Sequence, residues 1–289
     1  MKKFLEMVQG GKTLLCDGAM GTQLQARGLQ PGACPEEWNL REPKIVGEIS
    51  AGYIAAGADC VETNSFGGTR YKLAHFGLAD KVSEINRAAA VARAAVGANR
   101  FVLGSVGPTG VFLEPYGDEP EEKMYAAFRA QVAALAAGGA DAICIETMTS
   151  LEEALCALRA ARETNLPVIV TLTFDKTQRG DYRTMMGVSP ERVARELPAA
   201  GADLIGSNCG NGIEEMVEIA RALRAVTDVP LMIQANAGRP VLEDGRTVFK
   251  ATPADMAARV PELVALGVGV IGGCCGTTPG HIAAMRAAL

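Results

Sequence analysis

One local pattern occurs four times along the chain and limits the folds that are open to it. In each copy an alanine-rich stretch ends at a glycine, a short apolar run follows, and a polar residue or cysteine stands seven positions after the glycine. The copies are Ala56–Asn64, Gly138–Glu146, Ala200–Asn208 and Leu266–Cys274. A glycine at this point is typical of the left-handed residue that ends a helix, and the apolar run is typical of a buried parallel strand.

Four further apolar runs are predicted to be strands, and two of them begin with a proline, where strand pairing has not begun. They are Thr13–Cys16, Phe101–Ser105, Pro167–Thr173 and Pro230–Asn236, with helices predicted between strands, as at Ser150–Thr164 and Ile213–Val226. Eight strands alternating with helices predict a single-domain (β/α)8 TIM barrel over residues 1–289. An open doubly wound sheet is the alternative. The polar stretch Asp175–Thr184 is predicted to be a long loop.

Composition narrows the class of partner. The net charge is -5 and no cluster of Lys and Arg stands out, so a nucleic-acid partner is not expected. The apolar runs reach only strand length or are interrupted by glycine and charge, so no membrane span is predicted. Eight cysteines in 289 residues, without a signal-peptide pattern, fit a reducing compartment. We therefore expect a cytoplasmic protein that acts on a small molecule.

The active site of such a barrel lies at the carboxyl ends of its strands. Neither histidine of the chain falls at a strand end, and the only lysine near one is Lys176, beyond Thr173. Histidine acid–base chemistry and a Schiff-base lysine are therefore disfavoured. The residues predicted to follow strands are Asp17, Asn64, Glu146, Asn208, Cys209, Asn236, Cys274 and Cys275.

Three cysteines follow the sixth and eighth predicted strands. Neighbouring residues of a regular strand point to opposite faces, so Cys274 and Cys275 can bind one ion only if the backbone leaves β geometry, which Gly272, Gly273 and Gly276 permit. With Cys209 they would form a set of three thiolates with one open position, which is typical of catalytic zinc. Buried core thiols and a redox-active vicinal pair remain alternatives, because the spacing alone is not a metal signature.

The other cysteines carry weaker signals. Cys60 and Cys144 lie inside predicted strands and Cys156 lies in a predicted helix, so we interpret these three as packing residues. The sequence leaves the roles of Cys16 and Cys34 open.

Several strand-end motifs together resemble the homocysteine S-methyltransferase family, in particular the homocysteine-binding domains of cobalamin-dependent methionine synthases. They are Asp17–Thr22, Glu62–Gly67, Gly107–Gly110, Glu146–Thr147, Asn208–Cys209, Asn236–Gly238 and Gly272–Pro279. The resemblance implies that Cys209, Cys274 and Cys275 bind Zn²⁺, that homocysteine sulfur takes the fourth position, and that the sulfur is methylated to give methionine. Such chemistry needs a thiolate, because the thiol itself is a poor nucleophile.

The resemblance also suggests how the rest of homocysteine is held. Glu146 is the candidate for its amino group and is counted with the three cysteines as catalytic, a structural carboxylate in a salt bridge being the alternative. Asp17 could orient the amine, and backbone N–H groups after the first strand could bind the carboxylate, although the segment could equally be a plain tight turn. The remaining predicted substrate-binding residues are Gly18, Ala19, Met20, Asn64, Asn208 and Asn236, the last as a possible oxygen ligand of zinc before substrate arrives.

The methyl donor is the least determined part of the prediction. No Asp-x-His-x-x-Gly loop of a cobalamin module is present in the chain. We therefore expect methylcobalamin on a separate corrinoid protein or a downstream domain, with S-methylmethionine as the alternative donor and another small thiol as an alternative acceptor. A zinc- or thiol-binding barrel without catalysis shares the same cysteines.

A phosphate-binding barrel isomerase or lyase is a further alternative. Thr278 is predicted as the N-cap and Pro279 as the first residue of the last helix, a turn that can bind phosphate. The lack of a nearby basic residue weakens this alternative.

Overall fold

Eight parallel strands form the centre of the protein. The computed structural model describes residues 2–87, 89–243 and 246–289. The strands of the central sheet are β1 (Leu14–Leu15), β2 (Cys60–Glu62), β3 (Phe101–Val106), β4 (Ala142–Met148), β5 (Val168–Leu172), β6 (Leu204–Asn208), β7 (Leu231–Ala235) and β8 (Val268–Gly273).

Helices precede, separate and follow these strands. They are α1 (Lys2–Gln9), α2 (Gly21–Ala26), α3 (Trp38–Arg41), α4 (Pro43–Ala55), α5 (Arg70–Ala74), α6 (Val82–Arg87), α7 (Ala89–Val96), α8 (Glu121–Ala137), α9 (Leu151–Arg162), α10 (Pro190–Ala199), α11 (Ile213–Arg224), α12 (Pro253–Ala257), α13 (Val260–Ala265) and α14 (Pro279–Ala288). In the described part of the chain, no helix combines the length and the apolar character that crossing a membrane requires.

The sheet closes on itself. Its strands pair in the order β1, β8, β7, β6, β5, β4, β3, β2, and every neighbouring pair is parallel. At the seam, Cys16 of the chain after β1 forms a parallel bridge with Cys60 of β2, and the Asp59 N–H donates to the Leu15 carbonyl oxygen over 2.7 Å. The predicted TIM barrel is therefore confirmed, and the open sheet is excluded.

The repeat glycines end helices as predicted. Gly57, Gly139, Gly201 and Gly267 have φ values of +104°, +94°, +99° and +70°, the left-handed region that suits a residue without Cβ. Each lies between the end of a helix and the next strand of the barrel. The residue seven positions after the glycine ends its strand or follows it in three units (Asn64, Asn208 and Cys274), whereas Glu146 lies inside β4, two residues before its end.

The lower half of the barrel interior is apolar and closed by α1. Phe4 and Val8 of α1 are buried against the inward-facing side chains of the strands, and the Phe4 ring meets the Phe101 ring edge-on at 5.4 Å. Helix α1 thus covers the amino-terminal end of the barrel, leaving only the opposite end for a site.

The loops after two strands contain short antiparallel pairs. The segment predicted as a plain loop, Asp175–Thr184, contains the pair Asp175–Lys176 and Tyr182–Arg183, so that prediction is wrong in detail. A second pair, Val241–Glu243 with Arg246–Val248, follows β7. These strands are too short and too exposed to leave an alternating pattern in the sequence.

Candidate active site

The three cysteines of the sixth and eighth strands meet at the open end of the barrel. Cys209 follows β6 with a φ of +60°, and Cys274 and Cys275 lie in the turn after β8, before Gly276 at φ +78°. The three sulfur atoms all lie within 4.8 Å of one another, and Cys209 Sγ is 3.8 Å from Cys275 Sγ. The backbone therefore leaves β geometry where the sequence required it, and both neighbouring thiols turn to the same side.

Main-chain hydrogen bonds fix these cysteines to the strand between them, β7. The Cys209 N–H donates to the Gln234 carbonyl oxygen at 3.1 Å, and the Cys274 N–H donates to the Ala235 carbonyl oxygen at 2.7 Å. The Ala237 N–H in turn donates to the Cys275 carbonyl oxygen at 3.0 Å. The thiol cluster is thus anchored on rigid backbone rather than on flexible side chains.

The pKa of each of the three thiols depends on its hydrogen bonds to the other two. Hydrogen bonds from the Cys274 and Cys275 thiols lower the pKa of Cys209 to about 3. Donating those bonds raises the pKa of Cys275 to about 12 and raises that of Cys274 as well. All three can ionise together only if a cation compensates them. Three soft ligands, partly exposed, and the unpartnered buried Oδ1 of Asn236 beside them fit a metal such as zinc.

A layer of polar side chains lies inside the barrel below the thiols. Each member stands two residues, or four in the case of Asn208, after an inward-facing residue of the apolar layer, so its side chain also points inward. Asn208 and Gln234 belong to neighbouring strands and are paired in register. The members of this polar layer are Glu62, Ser105, Glu146, Thr171, Asn208 and Gln234.

Glu146 is held from both sides. The Ser105 hydroxyl donates to Oε1, and the Asn208 amide donates to Oε2 at 2.9 Å. Asn208 is itself saturated, because its Oδ1 accepts from the Thr147 N–H and the Thr171 hydroxyl at 2.7 and 2.8 Å. Thr147 adopts a φ of +60°, which is rare for a β-branched residue. Asn208 therefore orients Glu146, and its role as a direct substrate contact stays a prediction.

Asp17 is fixed at the seam of the barrel. The Glu62 N–H donates to Oδ2 at 3.0 Å, and the Cys16 thiol donates to Oδ1 at 3.3 Å. Gly18 follows at a position where a Cβ would clash with Thr277 Oγ1, so only glycine fits. The N–H of Ala19 already donates to that hydroxyl at 3.0 Å. The N–H groups of Gly18 and Met20 therefore remain the candidates for carboxylate binding in this loop.

The buried acids are not neutralised by the protein. Burial raises the pKa of Asp17 to about 8 and that of Glu62 to about 7, and burial followed by repulsion from Glu62 raises that of Glu146. In the described part of the chain, no lysine or arginine forms an ion pair with any of the three. The salt-bridge alternative for Glu146 is therefore not found, and the layer is suited to a cationic ligand.

Other residues singled out in the sequence lie away from this layer. Asn64 donates through Nδ2 to the Pro35 carbonyl oxygen at 2.7 Å and holds the loop before α3, so its part in substrate binding stays a prediction. His281 bonds Thr278 at the start of α14 and the Ala251 carbonyl, a structural role. The predicted N-cap Thr278 with Pro279 behind it is confirmed.

The remaining cysteines are buried, which agrees with the interpretation of Cys60, Cys144 and Cys156 as packing residues. Cys16, Cys60 and Cys144 lie inside the barrel, Cys156 lies in α9, and Cys34 packs with Leu73 and Ile85 outside it. The sequence argument missed Glu62, Ser105, Thr171 and Gln234 as members of the site. The two-residue period of each strand was the signal that could have identified them.

Comparisons with known proteins place this geometry in a family. The profile described as Homocysteine S-methyltransferase matches residues 14–289. Methionine synthases of Mycobacterium tuberculosis and Mycobacterium leprae are each 32% identical over 300 residues, covering 96% of this chain and 25% and 24% of theirs. The chain thus spans about a quarter of the length of these curated relatives.

Solved structures of a homocysteine methyltransferase resemble the fold of this chain. The metallated form of the homocysteine methyltransferase MmuM from Escherichia coli superposes with a TM-score of 0.80 at 26% identity, covering 96% of both chains. Its oxidized form superposes with a TM-score of 0.79, also at 26% identity. This chain belongs to the homocysteine S-methyltransferase family.

Proposed function

We propose that this chain binds Zn²⁺ through Cys209, Cys274 and Cys275 and methylates homocysteine to methionine. The observation that carries the proposal is the convergence of three thiols within 4.8 Å at the open end of the barrel. A relative whose solved structure is described as metallated supports it. When bound, zinc would favour the ionised form of a substrate thiol near neutral pH.

The residues around the thiols would hold the remainder of the substrate. Glu146, fixed by Ser105 and Asn208, would accept the ammonium group together with Asp17. The N–H groups of Gly18 and Met20 would bind the carboxylate. Burial raises the pKa values of these acids, and a positively charged ammonium group beside them would favour their ionised forms. Asn236 Oδ1 would occupy the open position before substrate binds.

The transfer itself requires no general base at carbon. A carbon–sulfur bond forms as the bond between the methyl group and its donor breaks, the bonding electrons stay with the donor, and the thiol proton passes to solvent. This agrees with the places of the two histidines, since His75 ends α5 and His281 bonds the Ala251 carbonyl oxygen. Positioning of sulfur, ammonium and carboxylate would be the protein's main contribution to the rate.

We further propose a methylated corrinoid as the donor, carried by a separate protein or domain. Two of the curated relatives that match are methionine synthases about four times as long as the matched region. The methyltransferase MmuM, by contrast, matches over nearly its whole length, which keeps S-methylmethionine as the second candidate donor. A cytoplasmic location remains our expectation.

The test combines metal analysis with methyl transfer. Protein purified under reducing conditions should contain about one zinc per chain and should methylate homocysteine with methylcobalamin or S-methylmethionine, only one of which is expected to support turnover. Cys274→Ser should lose both zinc and activity, whereas Cys156→Ser, a buried cysteine of α9, should keep both. Zinc without transfer from either donor would favour a binding protein, and transfer to other thiols at equal rates would contradict homocysteine as the acceptor.

A further inference from the structure

Tyr53 is a side chain of the helix layer that reaches two loops of the proposed site. It lies on α4 and is fully buried. Its hydroxyl oxygen is 2.8 Å from the Ala19 carbonyl oxygen and 3.2 Å from the Thr277 carbonyl oxygen. Ala19 belongs to the loop after β1, and Thr277 belongs to the turn after β8 that carries two of the thiols. Because a phenol has a single proton to donate, the nearer Ala19 oxygen is its main acceptor.

The Thr277 side chain joins the same two loops. The Ala19 N–H donates to the Thr277 hydroxyl oxygen at 3.0 Å, and this hydroxyl group donates to the Cys274 carbonyl oxygen at 2.7 Å. Thr277 is fully buried, as Tyr53 is. Ala19 is therefore held through both of its backbone polar groups, at a fixed place beside the thiol turn.

The hydrogen bond from Tyr53 also fixes the direction of a neighbouring N–H group. The Ala19 carbonyl and the Met20 N–H belong to one peptide group, which is planar and trans, so they point in opposite directions. The Met20 N–H therefore points away from the Tyr53 hydroxyl group. Among the described residues it has no backbone acceptor. A donor to the carbonyl oxygen polarises the peptide group and makes its N–H a stronger donor.

We propose that Tyr53 and Thr277 are positioning residues for the carboxylate of the substrate, because together they hold Ala19 and thereby orient the Met20 N–H. The inference rests on the proposed function, in which the Met20 N–H binds this carboxylate, and adds two residues that act through the backbone. In homocysteine a fixed number of bonds separates the sulfur atom from the carboxylate. The loop after β1 and the thiol turn must therefore keep their spacing if both groups are to bind at once.

Tyr53→Phe removes the hydroxyl group and leaves the packing in place. The ring still lies against Gly18, where the backbone approaches so closely that a Cβ would be 3.1 Å from the ring. The Ala19 carbonyl oxygen loses its donor, while the Cys274 N–H keeps its bond to the Ala235 carbonyl oxygen. We therefore expect zinc to remain bound and the carboxylate of the substrate to be held less tightly.

The experiment compares homocysteine with 3-aminopropane-1-thiol, which is homocysteine without its carboxylate. Dissociation constants of both thiols are measured by calorimetry on zinc-loaded wild type and Tyr53→Phe. The variant should bind homocysteine about tenfold more weakly, because a buried acceptor loses its donor, and the aminothiol within about twofold of wild type. The matched control is Tyr182→Phe, another buried tyrosine, whose hydroxyl group donates to Glu218 at 2.6 Å. It should leave both constants within about twofold of wild type.

A second pair of variants tests Thr277 and also decides if Tyr53→Phe does not fold, as judged by its melting curve. Thr277→Val removes the hydroxyl group that accepts from the Ala19 N–H and should weaken homocysteine selectively, in the same direction as Tyr53→Phe. Thr277→Ser keeps a hydroxyl group at this position and should restore the affinity of wild type. Zinc content, measured on each variant, should stay at about one ion per chain.

Three results would overturn the inference. One is equal weakening of both thiols, since a general loosening of the site does not distinguish them. Another is an unchanged affinity for homocysteine in the folded Tyr53→Phe and Thr277→Val variants. The third is a wild type that binds the two thiols equally, which would show that the carboxylate is not recognised. A wild type that binds neither thiol would instead refute the proposed function.

Discussion

Unfavourable features of single residues are concentrated at the proposed site. Cys209 and Thr147 both adopt positive φ values without being glycine, and Asp17 and Glu146 are buried acids without a cation. Each feature reduces stability, and such features persist where the surrounding structure enforces them. Here Asn208 and the backbone of β7 provide that enforcement. The cost to stability is consistent with a site preformed for a charged ligand.

The stability cost of burying Asp17 predicts that the stability of Asp17→Asn relative to wild type depends on pH. Burial raises the pKa of Asp17 to about 8, whereas an unfolded aspartate ionises near about 3.9. Between these values the folded protein holds the proton that the unfolded chain has lost, so wild-type stability falls as pH rises. Asparagine cannot ionise. The free energy of unfolding of Asp17→Asn relative to wild type should therefore increase by about 1–3 kcal/mol from about pH 5 to about pH 8.

Urea denaturation at both pH values measures this difference. Asp80→Asn, at an exposed aspartate after α5, is the control and should change stability by less than about 0.5 kcal/mol at either pH. If the difference in free energy of unfolding between Asp17→Asn and wild type were the same at both pH values, the Asp17 carboxyl group would not hold a proton in the folded protein.

At the scale of elements, the glycine that ends each repeat helix permits the turn into the next strand. Gly201 has a φ of +99°, and a Cβ there would meet only Arg162 at ordinary contact distances. Gly201→Ala should therefore reduce the free energy of unfolding through backbone strain alone, by about 1–2 kcal/mol.

Substitution of a second glycine by alanine should change the free energy of unfolding in the opposite direction. Gly52 lies inside α4, and a Cβ there would meet Pro279 at 3.9 Å. Gly52→Ala should stabilise the protein by about 0.5–1 kcal/mol, because alanine restricts the unfolded chain and favours the helix. Thermal melts of Gly201→Ala and Gly52→Ala test these two predictions. Equal changes in Tm would contradict the assignment of Gly201 as a helix-ending residue.

The order of elements was predictable because it is encoded locally. A helix-ending glycine and an apolar run define each repeat unit within about ten residues. The units at Gly57, Gly139, Gly201 and Gly267 predicted four strands, and four further apolar runs predicted the others. The thiol cluster could be located for the same reason. What local patterns do not encode is contact across the barrel. The approach of Glu62 to Gln234 depends on closure of the whole sheet, and the short antiparallel pairs after β5 and β7 have no period of their own.

At the scale of the whole molecule, the amino-terminal end of the barrel contributes to stability and the carboxyl-terminal end carries the proposed site. Phe4 of α1 is fully buried at the amino-terminal end, and the site lies at the other. Phe4→Ala should lower the free energy of unfolding by about 3–5 kcal/mol because it leaves a cavity. The dissociation constant for homocysteine should stay within twofold of wild type at a temperature where the variant is folded. A large loss of affinity in the folded variant would show that the two ends are coupled.

Removal of the metal should also be visible in the stability of the entire barrel. The three ligands join the turns after β6 and β8, so binding should stabilise the folded chain. Incubation with a chelator should lower the Tm by at least about 3 °C, as expected for a contribution above about 1 kcal/mol in a protein of this size. Cys274→Ser should melt alike with and without chelator, while Cys156→Ser should keep the difference. A Tm that does not respond to the chelator in wild type would argue against a resident ion.

The unpaired acids inside the barrel also bear on how long the protein survives in a cell. A newly folded copy carries Asp17, Glu62 and Glu146 uncompensated until a ligand arrives. A ligand that binds only the folded form lowers the population of opened chains available to proteases. Under the proposed function, homocysteine would therefore act as a folding aid for its own methyltransferase. The amount of protein in the cell would then follow the supply of the amino acid it consumes.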